Sequence, residues 1–271
     1  MTAFRGRRAL VTGGSSGIGR ATARALAAAG AHVVLAARGA ERLREAAEDV
    51  RGAAAADVHV SWVSVDVADG RAVEAAGAEA VARMGHVDLV INAAGITRPG
   101  YVQELSEDDF RATMETNYFG AVHVTRALLP HLRARRGGHV SFVSSVAGFL
   151  GVFGYTAYAA SKFALGGFAE CLRQEVGPQG IGVSVLYPPD TDTPQLREEI
   201  PLRPRETAAV AGGLKVATAE EVARAYLRGL ARGQHRILPG LGTRLTFYAQ
   251  RYAPGLVHAV LRRQIARAAA R

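Results

Sequence analysis

Cysteine is almost missing from this chain: Cys171 stands alone, so no internal disulfide can form and a reducing compartment is expected. Long apolar runs are missing too. No stretch of about 18 uncharged apolar residues occurs, which excludes a predicted membrane-spanning helix, and Met1 to Arg8 carries no apolar targeting segment. A cytoplasmic protein is the expectation. Lysine is scarce, with Lys162 and Lys215 alone among the 33 basic residues and arginine supplying the rest. Acid is absent from the whole C-terminal part: nothing after Glu221 is Asp or Glu, whereas ten arginines lie between Arg224 and Arg271. The net charge of +9 therefore belongs to the tail, and the remaining chain is close to neutral. The tail holds no motif that reads nucleic acid, so none is expected as a partner; an anionic surface such as a membrane matches better.

What is present suits a single α/β domain. The chain has 271 residues, 49% hydrophobic and 21% charged, enough for a sizeable core. Arg8–Thr12 reads as a buried strand, Gly13 to Gly19 as a glycine-rich turn, and Arg20–Ala29 as a helix stopped by Gly30. Strand, glycine turn and helix together let backbone N–H groups and a helix N-terminus hold a pyrophosphate. Strands at His32–Ala37, Val58–Val65, Val87–Ile91, Val140–Val143 and Gly182–Leu186 alternate with helices at Glu41–Arg51, Arg71–Met84 and Asp108–Arg135. This alternation predicts a doubly wound parallel sheet of Rossmann type, covered by helices on both faces. The domain is predicted to end near residue 240, leaving 241–271 as a basic helical extension.

The end of the second predicted strand bears on the cofactor. An acid there would bond the adenosine ribose of NAD; this chain has Ala37, then Arg38, with Arg42 one helical turn on. Guanidinium groups match a phosphate, so NADPH/NADP+ is the expected cofactor. Asp66-Val67 could meet the adenine edge, or Asp66 could cap the next helix. Asn92-Ala93-Ala94-Gly95 closes a strand with small residues, as a backbone lying against a ligand needs. Asn117 is a poor mid-helix residue and calls for a solvent position or a buried role, and Pro130 predicts a bend in the same helix.

Ser144-Ser145 ends the fifth strand, and Tyr158-x-x-x-Lys162 follows at one-turn spacing on a predicted helix running to about Val176. A free phenol has a pKa of about 10, and a nearby ammonium favours its ionised form, so the pair could act as an acid–base device. Alone, it reads more readily as an ordinary amphipathic helix pair.

Taken together, Thr12-Gly13-x-x-x-Gly17-x-Gly19, Asn92-Ala93-Ala94-Gly95, Asn117, Ser145 and Tyr158-x-x-x-Lys162 resemble the short-chain dehydrogenase/reductase superfamily over roughly residues 5–240. The resemblance implies hydride transfer between a nicotinamide and a carbonyl carbon, with Tyr158 as proton donor and Ser145 orienting the oxygen. It implies that Lys162 lowers the tyrosine pKa and binds ribose hydroxyls, and that Asn117 holds a water leading from Lys162 to solvent. Strand alternation sets Ser144 pointing away from Ser145. The implied cofactor cradle comprises Gly13, Ser15, Ser16, Gly17, Ile18, Arg38, Arg42, Asp66, Val67, Asn92, Ala93, Gly95, Tyr158, Lys162, Pro188, Thr191 and Thr193, and no metal is expected. A homo-oligomer is expected as well.

A narrower likeness begins at Tyr187-Pro188-Pro189-Asp190-Thr191-Asp192-Thr193-Pro194, where most of the superfamily carries Pro-Gly in place of Pro188-Pro189. With Gly148 to Tyr158 and Arg203-Pro204-Arg205-Glu206-Thr207, it is similar to 3-ketodihydrosphingosine reductases. That likeness implies a long-chain ketone substrate. Other apolar ketones, such as a 3-ketoacyl thioester or a steroid-like compound, and a non-catalytic scaffold remain alternatives. Residues 195–217 occupy the position of a lid. In the tail, Val257, Val260, Leu261 and Ile265 share a helical face flanked by Arg262 and Arg263. This face either lies peripherally on anionic lipid, at the inner face of the cell membrane, or packs on the protein.

Overall fold

The computed structural model describes residues 2–135, 137–212 and 216–270; part of the expected lid, 213–215, lies outside the described residues. The strands are β1 (Arg8–Thr12), β2 (His32–Ala37), β3 (Val60–Ser64), β4 (Leu89–Asn92), β5 (Gly138–Val143), β6 (Ile181–Leu186), β7 (Thr191–Asp192), β8 (Ala217–Thr218) and β9 (Arg236–Ile237). The helices are α1 (Gly17–Ala28), α2 (Ala40–Gly52), α3 (Gly70–Met84), α4 (Glu107–Met114), α5 (Gly120–Ala134), α6 (Thr156–Val176), α7 (Pro194–Glu199), α8 (Arg205–Ala211), α9 (Ala219–Ala231), α10 (Gly240–Tyr252) and α11 (Pro254–Ala269).

Seven strands form one parallel sheet in the order β3-β2-β1-β4-β5-β6-β9. Strand alternation sends Leu10, Val34, Val90 and Phe142 to one face, where they pack with Val73, Leu128 and Leu165. Their neighbours Val11, Leu35 and Ile91 go to the other, against Leu26, Leu43 and Tyr226. Both faces are dry, which is why the strands read as continuous apolar runs. Each fully buried leucine, such as Leu26 or Leu128, contributes about 1.5–3 kcal/mol of burial free energy. Strand order reverses between β1 and β4, so the carboxyl ends of these strands open a crevice, the usual ligand position in such sheets.

Two local features differ from the sequence reading. The helix expected from Asp108 to Arg135 is interrupted by a π turn at Glu115–Phe119, which contains Asn117. Pro130 lies inside α5, which continues through it to Ala134. The C-terminal extension forms two helices. Phe247 anchors α10 by edge contacts with Phe149 (5.0 Å between ring centres) and a tilted contact with Tyr187 (6.4 Å). Then α11 folds back on α8, where Arg205 Nη2 donates to the Ala269 carbonyl at 3.3 Å. No described helix is long and apolar enough to cross a membrane.

Candidate active site

The crevice is a single cleft of about 1420 Å³, bordered by the carboxyl ends of the central strands, the α7–α8 segment and the tail helices. Its floor begins at the turn after β1. Gly13 has φ +65°, and a Cβ there would stand 2.6 Å from the Ala93 carbonyl oxygen. Gly17 has φ +52° and faces the Thr193 side chain. The first turn of α1 has no capping side chain and no acid of its own, which leaves its N–H groups open to an anion. Gly13, Ser15, Ser16, Gly17 and Ile18 all border the cleft. Across it, Thr12 Oγ1 accepts from the N–H groups of Ala93 (3.1 Å) and Ala94 (3.2 Å), clamping the two strand ends together.

Arg38, Arg42, Asp66 and Val67 line the far end. Arg38 is exposed and 4.0 Å from Asp66, and Asp69, not Asp66, caps α3 through Arg71 and Ala72. The glycine cradle, the uncapped helix start and the arginine end fit a dinucleotide carrying phosphates at two places. Asn92 stands apart from this set. Its side chain is buried, does not border the cleft, and has no hydrogen-bond partner for either amide atom among the described residues. Ala93 and Gly95, expected beside it, do border the cleft.

The reacting groups lie between β5 and α6. Ser144 and Ser145 both border the cleft, but Ser144 is buried and its hydroxyl is used, donating to the Lys162 carbonyl at 3.2 Å. Gly148 permits that packing, because a Cβ there would collide with Ser144 Oγ and stand 3.0 Å from the Lys162 carbonyl oxygen. Tyr158 sits in the first turn of α6 and hydrogen-bonds Ser145. Lys162 Nζ lies 5.6 Å from the centre of the Tyr158 ring and donates to the Val143 carbonyl at 2.9 Å. Burial of this ammonium lowers its pKa to about 8.

The expected lowering of the tyrosine pKa is not what these surroundings produce. Burial raises it, the Ser145 hydrogen bond pulls it down, and the charges on Glu199 and Asp190 push it further up. Desolvation of the phenolate is the largest of these effects. Asn117 lies behind the cleft. Its Nδ2 donates to the Ile96 carbonyl and to Ser161 Oγ (both 2.9 Å), and its Oδ1 accepts from the Ile96 N–H (2.8 Å). Oδ1 keeps one lone pair, and a Cβ on Gly95 would meet both it and Lys162 Nζ within 3.3 Å, so the three border one gap.

A family profile described as short chain dehydrogenase matches residues 7–202. The chain belongs to the short-chain dehydrogenase family. Among curated relatives, a zebrafish (Danio rerio) protein named 3-dehydrosphinganine reductase is 43% identical over 84% of this chain and 69% of its own. Mouse (Mus musculus) 3-ketodihydrosphingosine reductase is 40% identical over 85% of this chain and 70% of its own. Among solved structures, one of a Burkholderia phymatum short chain dehydrogenase/reductase in complex with NAD superposes with TM-score 0.83 at 27% identity, covering 94% of this chain and 96% of its own. Levodione reductase superposes with TM-score 0.78 at 30% identity, covering 84% of this chain and 91% of its own. The protein is thus an oxidoreductase of the short-chain type that uses a nicotinamide cofactor.

In this short-chain dehydrogenase, the Pro188 to Thr193 string borders the cleft opposite α1. The Pro188 carbonyl accepts from Val146 N–H at 3.1 Å, Thr191 Oγ1 donates to the Pro189 carbonyl at 2.8 Å, and Thr193 caps α7 through Leu196 N–H at 3.2 Å. Sequence reasoning gave no role to Thr12, Tyr155, Glu199 or Arg203. Thr12 was visible only as the residue before the first glycine. Glu199 and Arg203 are four residues apart, but their partners Tyr155 and Asp190 come from other segments, so the cluster is a product of tertiary structure. The sequence leaves open whether the tail meets lipid or protein; Leu241, Leu245, Val257, Val260 and Leu261 line the cleft.

Proposed function

We propose that this enzyme reduces the ketone of 3-ketodihydrosphingosine to the alcohol of dihydrosphingosine with NADPH. The observation that carries this reading is the pairing of an SDR acid–base set with an apolar cleft wall built by α10 and α11, in a chain whose relatives bear that reductase name. When bound, reduced nicotinamide supplies a hydride to the carbonyl carbon. Tyr158, kept protonated by its buried setting, gives its proton to the carbonyl oxygen, and Ser145 donates a hydrogen bond that orients it. Lys162 would hold the ribose hydroxyls, and the gap it shares with Gly95 and Asn117 Oδ1 is where a water would return the proton. Incubating purified protein and NADPH with 3-ketodihydrosphingosine, a 3-ketoacyl thioester and a steroid ketone tests this. Oxidation above background with the first substrate supports the reading; preference for either other compound replaces it.

The preference for NADPH rests on Arg38 and Arg42 at the far end of the cleft, with no acid at the end of β2. Arg38→Ala is expected to raise KM for NADPH at least tenfold while changing KM for NADH little, since one charge-assisted hydrogen bond is worth about 1.5–3 kcal/mol. Equal effects on both cofactors refute it.

Peripheral membrane association belongs with this reading, because Leu241, Tyr248, Tyr252 and Leu256 are exposed beside Arg244, Arg251, Arg262 and Arg263. Such contact would place the protein on the inner face of the cell membrane. Co-sedimentation with anionic, but not neutral, vesicles at low salt is the expected result, and added salt should release the protein. Binding that ignores lipid charge sinks the idea.

A further inference from the structure

Beside the catalytic phenol lies a cluster of charged groups that the reduction itself does not use. Tyr155 stacks obliquely on Tyr158, with ring centres 5.8 Å apart, and its hydroxyl donates to Glu199 Oε1 at 2.7 Å. Arg203 Nη2 reaches the same Oε1 at 2.5 Å, and Nη1 reaches Asp190 at 2.9 Å. Both hydrogen bonds to Glu199 therefore fall on Oε1 and not on Oε2. The side chains of Glu199 and Arg203 are 9% and 8% exposed, while Asp190 is more open at 38%. All four residues border the cleft.

Two points show that the cluster is incomplete as it stands. Two carboxylates face one guanidinium, which leaves one net negative charge in the cluster; Asp190 is open to water, whereas Glu199 is nearly buried and keeps Oε2 unbonded. A nearly buried carboxylate with a free oxygen is a place where a cation is favoured. Arg203 Nε, moreover, is buried without a hydrogen-bond partner among the described residues. A carboxylate in surplus and a free N–H side by side ask for a ligand that brings both a cation and an acceptor oxygen.

We propose that Glu199 and Arg203 form the head-group subsite of the cleft, where Glu199 takes an ammonium on the carbon next to the ketone and Arg203 Nε donates to the adjoining hydroxyl. This rests on the reductase reading above, whose substrate carries both groups beside its carbonyl. The amine resembles a chain-terminal amino group, with a pKa of about 8, and is mostly cationic at neutral pH. The carboxylate charges on Glu199 and Asp190 are felt by the Tyr158 phenol, which places the cluster within electrostatic reach of the reacting oxygen. Held there, the ammonium fixes which face of the ketone meets the hydride, and ketones lacking it are discriminated against.

The test compares 3-ketodihydrosphingosine with the same long-chain ketone lacking the amine, using NADPH and intact protein. Wild type is expected to favour the amino ketone in kcat/KM by about 10- to 100-fold, the range of one charge-assisted hydrogen bond. In Glu199→Gln that ratio should collapse toward unity, whatever happens to either rate. A ratio that survives the substitution overturns the subsite, as does a wild type that reduces both ketones equally well. A wild type that reduces neither, yet reduces another ketone class, overturns the reductase reading instead. Should Glu199→Gln not fold, Arg203→Lys reads the same ratio: it keeps the charge but lacks Nε, and it should weaken the amino ketone against an analogue without the hydroxyl. No change in that second ratio counts against the subsite.

Discussion

Lys162 is a cation held almost without water, 4% exposed and bonded to one backbone carbonyl. Desolvation brings its pKa to about 8. Its ammonium is therefore present at neutral pH and lost as the pH rises through about 8. The rate of ketone reduction should follow. kcat/KM measured from initial rates is expected to fall along an alkaline limb near that value, and Lys162→Met should lower the plateau by about 10²–10⁴-fold and erase the limb. A limb that persists in Lys162→Met assigns it elsewhere. Stability moves in the opposite direction: between about 8 folded and 10.5 unfolded, the unfolded chain holds a proton that the folded chain lacks. Global stability should therefore rise with pH across that window, and urea titrations at both ends would show it.

At the scale of the element, the turn from β1 to α1 is the most constrained stretch. Gly13 combines a left-handed backbone with a gap to Ala93 that no Cβ fits. Gly13→Ala should cost at least about 1–2 kcal/mol from the backbone conformation alone, before the collision is added. It should also weaken NADPH binding in a fluorescence titration, since relief requires the β1 and β4 ends to part. A variant with unchanged melting temperature and affinity would contradict this geometry. This turn was readable in sequence because strand, glycines and helix are contiguous, and so was the alternation that builds the sheet. The π turn at Glu115–Phe119 was not, because its residues suit an α-helix and the bonds from Asn117 to Ile96 and Ser161 come from distant segments. Tyr158 and Lys162 were legible from spacing, whereas the sign of the tyrosine shift depends on burial and on Glu199 and Asp190, residues that the local motif does not contain.

At the scale of the whole molecule, the tail serves as the missing wall of the cleft. The apolar face shared by Val257, Val260 and Leu261 meets the interior of the cleft, while Arg262 and Arg263 face water. The periodicity of α11 was evident from sequence, but what it packs on depends on the Phe247 anchor and on α8, both distant along the chain. An alkyl chain running from Tyr158 toward this wall would bury surface worth about 0.8 kcal/mol per methylene. Leu261→Asp puts a charge into that path at a half-buried position, where folding should tolerate it. KM for a long-chain ketone is then expected to rise tenfold or more, with kcat/KM for a short ketone and the affinity for NADPH both retained. Steady-state kinetics on a chain-length series would resolve this. Equal losses at every chain length would mean that the substrate leaves the cleft by another side.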